Sequence, residues 1–290
     1  MSPSAGFDGL AGAGGPRADG ASGGDGSGVG RSVPVGGSVP PGVRTVPPPA
    51  PAATRLVLIR HGEAVCNVSG VCGGPVGCSG LTDLGRRQVG ALRDRLLASR
   101  ELAGADVLYA SVLLRAVETA ELVAPALGRA GTGGRPGAPP SLVTECGLCE
   151  LHPGEADGLT WAEFSERYDP VDWDEDPGRP LAPGGESWTG FVRRVAGTLD
   201  LLVRRHPGQL VVVACHAGVV EASLLAKLPV AGGLDGARLQ LQTRHASMTG
   251  WQVAGGRWRL LGYNDAAHEV VTERSPETRP TEMAIPGQQA

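Results

Sequence analysis

Two short runs of apolar residues in this chain are each followed directly by a histidine. Residues 56–59 precede Arg60 and His61, and residues 211–215 precede His216. A continuous apolar run of this length is typical of a strand that is covered on both faces. Because open α/β folds bind ligands at the carboxyl ends of their strands, we predict that both histidines lie at that edge of a sheet.

In the rest of the chain, segments with apolar residues at helical spacing alternate with short apolar segments typical of strands. Thr82 can cap a helix that runs to about residue 98, with apolar residues at helical spacing. Strands that alternate with helices predict a mostly parallel sheet with helices on both faces. The Gly/Pro-rich stretch 128–140 predicts a surface loop. The other predicted helices are 115–127, 160–168, 186–206 and 219–228, and the other predicted strands are 106–109, 142–144, 209–215, 239–242, 248–253 and 258–261.

The two ends of the chain differ in composition from its middle. Residues 1–53 are dominated by Gly, Pro, Ala, Ser and Val, and residues 271–290 are rich in Glu, Pro and Thr. Such segments bury too little apolar surface to offset the entropy lost on ordering, so we predict two disordered tails. The predicted catalytic domain is then residues 54–270.

Charge and hydropathy narrow the range of partners and compartments. The formal net charge is −4, so a general nucleic-acid binder is not expected. No apolar run is long enough to span a membrane, and the N-terminal segment lacks the continuous apolar stretch of a secretory signal. We therefore expect a cytoplasmic protein that binds neither nucleic acid nor membrane.

The cysteines raise the question of a metal site. Cys146 and Cys149 have the two-residue spacer of many zinc sites, but a zinc ribbon needs a second such pair. Cysteines in a cytosolic protein are usually reduced thiols, so we predict no metal ligands and no cofactor. The six cysteines are Cys66, Cys72, Cys78, Cys146, Cys149 and Cys215.

Four separated motifs carry the candidate chemistry. They are Arg-His-Gly-Glu at 60–63, a helix start that contains Arg115, the acid Glu150, and the second strand with His216. In order and spacing these motifs resemble the histidine phosphatase superfamily, also called the phosphoglycerate mutase-like family, over residues 55–268. The resemblance implies a three-layer α/β/α sandwich with a mostly parallel central sheet.

Phosphoryl transfer needs a nucleophile, cations around the phosphoryl oxygens and an acid for the leaving oxygen. The resemblance makes His61 the nucleophile that forms a phosphohistidine. Arg60 and Arg115 suit a phosphate clamp because a guanidinium binds two oxygens at once. In the family branch that takes its acid from a His-Asp pair, an Asp follows the second histidine; here Ala217 follows it, which leaves Glu150 as the acid and base. The predicted phosphate-binding set is Arg60, Asn67, Arg115, His216 and Ala217, with Asn67 included by resemblance.

The other histidines are predicted to be structural or exposed. His245 stands where relatives of the family usually carry Asn, and we expect it to lie outside the catalytic set. The remaining three are His152, His206 and His268.

Three functions fit these residues. A phosphatase acting on a small phosphorylated metabolite is favoured over a mutase, because the stretch after Glu150 lacks the basic, aromatic cluster of the glycolytic mutases. An acidic segment, residues 169–176, would also repel a second phosphate if it covers the pocket. A non-catalytic phosphate-binding module is the third alternative. The natural substrate and the oligomeric state stay open.

Overall fold

The structure is a computed structural model that describes residues 52–129, 137–228 and 241–268. Most of the two predicted tails, part of the predicted loop 128–140, and residues 239 and 240 of the predicted strand 239–242 lie outside the described residues. Residues 241 and 242, which are described, are not in a strand. In the described residues, no helix is long and apolar enough to cross a membrane.

One mixed sheet forms the centre of the described domain. Its order is β3-β2-β4-β1-β5-β6. Strands β1 to β4 run parallel to one another, whereas β5 runs antiparallel to both of its neighbours. The predicted mostly parallel sheet is thus confirmed, with a hairpin added at one edge. The strands are β1 (Thr54–Arg60), β2 (Val107–Ala110), β3 (Leu142–Thr144), β4 (Leu210–Cys215), β5 (Met248–Ala254) and β6 (Arg257–Asp265).

Helices follow most of the strands, and polar side chains cap several of them. The Thr82 hydroxyl accepts the Gly85 N–H, as predicted for the start of the second helix. Thr160 and Glu163 form a capping box at the fourth helix. The first helix was not predicted, because five residues are too few to show a helical period. The helices are α1 (Val65–Ser69), α2 (Asp83–Ser99), α3 (Leu114–Leu127), α4 (Trp161–Arg167), α5 (Trp188–Arg205) and α6 (Ala217–Lys227).

Alternate residues of the central strands face two separate hydrophobic cores. On β1, Leu56 and Leu58 pack in the core that contains residues of α5 and α6. Val57 and Ile59 pack in the opposite core, with residues of α2 and α3. Since successive side chains of a strand point to opposite faces, this alternation places one helix pair on each side of the sheet. The result is the predicted three-layer α/β/α sandwich.

The register between β1 and β4 explains why two distant histidines meet. The strands are adjacent and parallel, and Arg60 pairs with Cys215 at their carboxyl ends. The His61 N–H donates to the Cys215 carbonyl at 2.9 Å, so the pairing continues to the next residue. His61 and His216 therefore leave the sheet side by side.

Candidate active site

His61 and His216 form the centre of the candidate site. Their ring centroids are 5.1 Å apart with an interplanar angle of 64°. His61 is 4% exposed and His216 is 0% exposed. The structure therefore brings together the two imidazoles that the sequence places 155 residues apart (216 − 61).

The contacts of His61 decide which ring nitrogen is free to react. Nδ1 lies 2.6 Å from the Gly62 carbonyl oxygen, which can only accept, so Nδ1 carries the proton. Arg115 Nε donates to Nε2 at 3.2 Å, and this contact requires a lone pair on that nitrogen. The Nε2 lone pair is thus the nucleophilic position of the ring.

Burial and positive neighbours keep the His61 ring neutral. Burial lowers the pKa of His61 well below its usual value, and the charge of Arg115 lowers it further, followed by His216 and Arg60. The neutral imidazole is the form that can attack an electrophile. The same surroundings would stabilise the negative oxygens of a phosphoryl group placed next to the ring.

The two arginines of the site reach it from different elements. Arg60 ends β1, and its Nη1 donates to the Thr243 carbonyl. Arg115 lies in the first turn of α3, and its Nη1 donates to the Gly73 carbonyl at 2.7 Å. Both side chains are nearly fully buried, at 3% and 4% exposure. Their guanidinium groups are therefore held in place by backbone oxygens before any ligand binds.

His216 has unused hydrogen-bonding capacity at this centre. Within the described ranges, neither of its ring nitrogens has a hydrogen-bond partner, although the residue is fully buried. Buried polar atoms nearly always have a partner, and an exception calls for an explanation such as a ligand. A phosphoryl oxygen bound between the two imidazoles would supply that partner.

Glu150 is held against the start of α6. Its Oε2 accepts the Gly218 N–H at 3.0 Å, and its Oε1 accepts the Leu151 N–H at 3.1 Å. Gly218 belongs to the first turn of α6, where backbone N–H groups lack partners within the helix and favour a negative charge. The predicted acid thus lies next to the helix that begins directly after His216.

Arg194 of α5 holds the turn that carries Glu150, and sequence reasoning missed it. Its Nη2 donates to the Glu150 carbonyl at 3.2 Å, and its Nη1 donates to the Cys149 carbonyl at 3.1 Å and the Gly147 carbonyl at 3.0 Å. It also forms an ion pair with Glu186 at 2.6 Å. The sequence contains one signal that could have found it: Arg194 lies between the apolar residues Phe191 and Val195, which face the core in α5.

Glu221 is a second carboxyl group near Glu150 that sequence reasoning also missed. Burial raises the pKa of Glu221 to about 7, and the neighbouring charge of Glu150 raises it as well. Glu221 lies three residues after Gly218 on α6, so helical spacing places both on the face that meets Glu150. The carboxyl group of Glu221 is thus protonated over part of the neutral range.

His245 contacts the candidate site, although we expected it to be structural or exposed and away from the catalytic residues. Arg60 Nη2 donates to His245 Nε2 at 2.9 Å, and the His245 ring centroid is 5.9 Å from that of His61. Burial lowers its pKa well below the usual value. No helical or strand period surrounds this residue in the sequence, since it lies in the loop before β5. His206, in contrast, contacts Tyr109 and Gln209 and is structural, as predicted.

All five members of the predicted phosphate-binding set stay predictions, and two of them, Asn67 and Ala217, lie in helices that begin near the site. Asn67 lies in α1, and its Oδ1 accepts the Ala64 N–H at 2.9 Å, which leaves the Nδ2 donor for other partners. Ala217 is the first residue of α6, next to His216, so its N–H lies at the helix start. The N–H of Ala217 suits an anion, since a helix start offers free N–H donors, whereas Asn67 would bind one through its side-chain Nδ2.

Because Gly218 has no side chain, the Glu150 carboxylate can lie in the space that a Cβ atom would fill. A Cβ atom at this position would overlap Glu150 Oε1 and lie 3.1 Å from Phe191 Cζ. We expect Gly218→Ala to displace the carboxylate and to lower kcat about tenfold to a hundredfold, although alanine is the better helix former. Steady-state hydrolysis of a phosphomonoester measures the effect.

Gly197→Ala is the matched control, because Gly197 lies in α5 and a Cβ atom there would meet nothing within 4 Å. This variant should keep full activity. Equal activities for the two variants would show that the position of the Glu150 carboxylate does not matter.

The buried histidines also predict how stability depends on pH. His61, His216 and His245 have lowered pKa values in the folded protein, so below about pH 6.5 the unfolded chain binds more protons and stability falls with falling pH. Glu221, with its pKa raised to about 7, acts in the opposite direction. These four groups together leave about two more protons on the unfolded chain, so they contribute a slope of about 3 kcal/mol per pH unit. His152 and His268, whose pKa values are also lowered, act in the same direction as the three histidines.

Urea unfolding at fixed ionic strength between pH 7.5 and 5.5 measures this slope. The variant His216→Gln removes one titrating group and should reduce the slope by about 1.4 kcal/mol per pH unit. A free energy of unfolding that does not change over this range would contradict the prediction.

A family model connects this geometry with known proteins. The model of the histidine phosphatase superfamily (branch 1) matches residues 56–266, which is most of the chain. This range contains every residue of the candidate site. The resemblance inferred from the four motifs is confirmed.

Individual relatives and a solved structure agree with the family model. The chain is 30% identical to the metal-independent phosphoserine phosphatase of Arabidopsis thaliana over 59% of this chain and 68% of that protein. It is 33% identical to phosphoserine phosphatase 1 of Hydrogenobacter thermophilus over 61% of this chain and 77% of that protein. A mycobacterial glucosyl-3-phosphoglycerate phosphatase solved with VO3 superposes with a TM-score of 0.55 at 28% identity, covering 72% of this chain and 98% of that structure.

Proposed function

The chain belongs to the histidine phosphatase superfamily (branch 1), and on this premise we propose that it is a phosphomonoesterase for a small phosphorylated metabolite. The reaction passes through a phosphohistidine on His61, and Glu150 is the general acid and base. The single observation that carries the proposal is the unprotonated Nε2 of His61, which accepts a hydrogen bond from Arg115 Nε at 3.2 Å inside a buried cationic site.

The first step transfers the phosphoryl group to the enzyme. His61 Nε2 attacks phosphorus, the bond from phosphorus to the ester oxygen breaks, and Glu150 in its protonated form gives its proton to the departing oxygen. Arg115 Nε then donates to a phosphoryl oxygen instead of to Nε2. Arg60 and His216 complete the set of donors around the same group.

The second step releases phosphate. Glu150 has lost its proton and can accept one from a water molecule, which attacks phosphorus while the bond to His61 Nε2 breaks. The hydrogen bond from His61 Nδ1 to the Gly62 carbonyl keeps the ring in one orientation throughout. Inorganic phosphate leaves, and both residues return to their starting protonation states.

Two observations support a small monoester as the substrate. The relatives named above are phosphatases of phosphoserine and of glucosyl-3-phosphoglycerate. The acidic segment that follows α4 exposes Asp169, Asp174, Glu175 and Asp176, and this concentration of negative charge would disfavour a substrate with a second phosphate. A cytoplasmic location is part of the same proposal.

Phosphate release from a panel of metabolites tests the proposal. The panel contains phosphoserine, 3-phosphoglycerate, sugar monophosphates and fructose 1,6-bisphosphate, and 2-phosphoglycerate formation is measured in parallel. We expect at least one monoester with kcat/KM above about 10⁴ M⁻¹s⁻¹ and at least about tenfold less for the bisphosphate. Isomerisation faster than phosphate release would identify a mutase, and no turnover of any compound would favour a binding module.

A further inference from the structure

Three side chains that commonly bind metals converge on the turn beside the catalytic acid. The ligand atoms of Cys146, Cys149 and His152 all lie within 4.8 Å of one another. Cys149 is buried, whereas Cys146 is exposed, so the cluster opens to solvent. The turn spans only seven residues and contains Glu150, but none of the three side chains takes part in the proposed reaction.

The distances within the cluster fit a tetrahedral zinc ion. Zinc–sulfur bonds of about 2.3 Å and zinc–nitrogen bonds of about 2.0–2.1 Å at tetrahedral angles separate two sulfurs by about 3.8 Å and a sulfur from a nitrogen by about 3.6 Å. The two sulfur atoms of Cys146 and Cys149 are 3.8 Å apart. Cys146 Sγ is 3.6 Å from His152 Nε2. Two of the three ligand separations thus already match.

Groups around the cluster support the same function. His152 Nδ1 faces Glu186 Oε2 at 3.6 Å, the carboxylate–histidine arrangement that orients metal-binding imidazoles and leaves Nε2 for the metal. The Ser111 hydroxyl donates to Cys149 Sγ at 3.3 Å, which would stabilise a thiolate. Arg194 holds the Gly147 and Cys149 carbonyls, so the backbone of the turn is fixed before a metal binds.

We propose that Cys146, Cys149 and His152 form a binding site for one thiophilic divalent cation, Zn²⁺ in the first place. Water or an external ligand takes the fourth position on the exposed side. Two thiolates balance the charge of the ion, and their protons are released on binding. The cation stabilises the turn that carries Glu150. This proposal differs from the sequence-based expectation of no metal ligands.

Titration of the purified full-length protein with Co²⁺ under a non-thiol reductant tests the site. Tetrahedral Co²⁺ bound to thiolates absorbs by sulfur-to-metal charge transfer and by strong visible bands, and Zn²⁺ should abolish both at one equivalent. Cys146→Ser and His152→Gln should each weaken binding by about tenfold or more. Cys78→Ser, which removes a thiol elsewhere, should bind one equivalent with the wild-type spectrum.

Thermal unfolding provides a second readout that does not depend on phosphatase activity. Zn²⁺ should raise the midpoint of the wild type and of Cys78→Ser by several degrees and leave Cys146→Ser unchanged, since a ligand that binds only the folded state stabilises it. No charge-transfer band in the wild type, or equal spectra in Cys146→Ser and Cys78→Ser, would overturn the proposal. Either result leaves the test of the phosphatase function unaffected.

Discussion

Replacing His61 with alanine is expected to lower kcat about 10⁴-fold or more for every phosphomonoester. The variant lacks the nitrogen that forms the bond to phosphorus, and the remaining donors cannot replace a nucleophile. Binding should persist, because Arg60, Arg115 and His216 are retained. Steady-state turnover of p-nitrophenyl phosphate, together with binding of vanadate or inorganic phosphate measured by calorimetry, checks both parts.

The control is His206→Ala. The His206 ring is hydrogen-bonded to Tyr109 and Gln209 and lies outside the candidate site. Removing this ring should therefore leave kcat within about twofold of the wild-type value. An alkaline quench during turnover should trap a phosphorylated wild-type protein but an unmodified His61→Ala. Substantial turnover by this variant would exclude His61 as the nucleophile.

The loss of kcat/KM caused by Glu150→Gln is expected to depend on the leaving group of the substrate. Gln keeps the size of the side chain and can still accept one backbone N–H, but it cannot give a proton to the ester oxygen. For an alkyl phosphate such as phosphoserine, kcat/KM should fall about 10²- to 10⁴-fold, the usual contribution of general acid catalysis. For p-nitrophenyl phosphate the loss should be much smaller, since that leaving group departs without protonation.

A matched control is available nearby. Glu155→Gln removes an exposed carboxylate that accepts from the Tyr168 hydroxyl, and it should leave both kcat/KM values nearly unchanged. The informative quantity is the ratio of the kcat/KM values for the two substrates, because kcat/KM reports only the steps up to the first irreversible one. Equal losses for both substrates would show that Glu150 does not protonate the leaving oxygen.

The sequence predicted the scaffold of the site well, because that scaffold depends on periodicity. The apolar runs before His61 and His216 are strands β1 and β4, and Thr82 caps α2. A buried strand and a capped helix depend on residues within a few positions of each other, so local patterns suffice to identify them. The order of the four motifs then identified the family without any coordinates.

The long-range contacts around the site could not be predicted in the same way. His245, Arg194 and Glu221 contact or influence catalytic residues that are distant along the chain. Their positions depend on how the loop before β5 and the helices α5 and α6 pack on the sheet. No periodic signal marks such contacts, because each involves a single residue pair brought together by packing.

The cysteines illustrate the same difference. From spacing alone, Cys146 and Cys149 lacked a second ligand pair, and a metal site was not expected. His152 would supply a third ligand to the proposed site because the turn folds back on itself, so that Cys146 Sγ lies 3.6 Å from His152 Nε2. Arg194, which donates to the backbone of this turn from α5, holds that conformation.

The sequence by itself determined the candidate residues for the chemistry: a histidine directly behind each of the two apolar runs, the arginines and the acid, in one order along the chain. Only the tertiary structure decided their electrostatic state and geometry. The parallel pairing of β1 with β4 brings the imidazoles to 5.1 Å. Burial beside two arginines keeps His61 neutral with its Nε2 lone pair available. These properties depend on the low dielectric constant and fixed dipoles of a packed interior, which residues acquire only when the chain has folded.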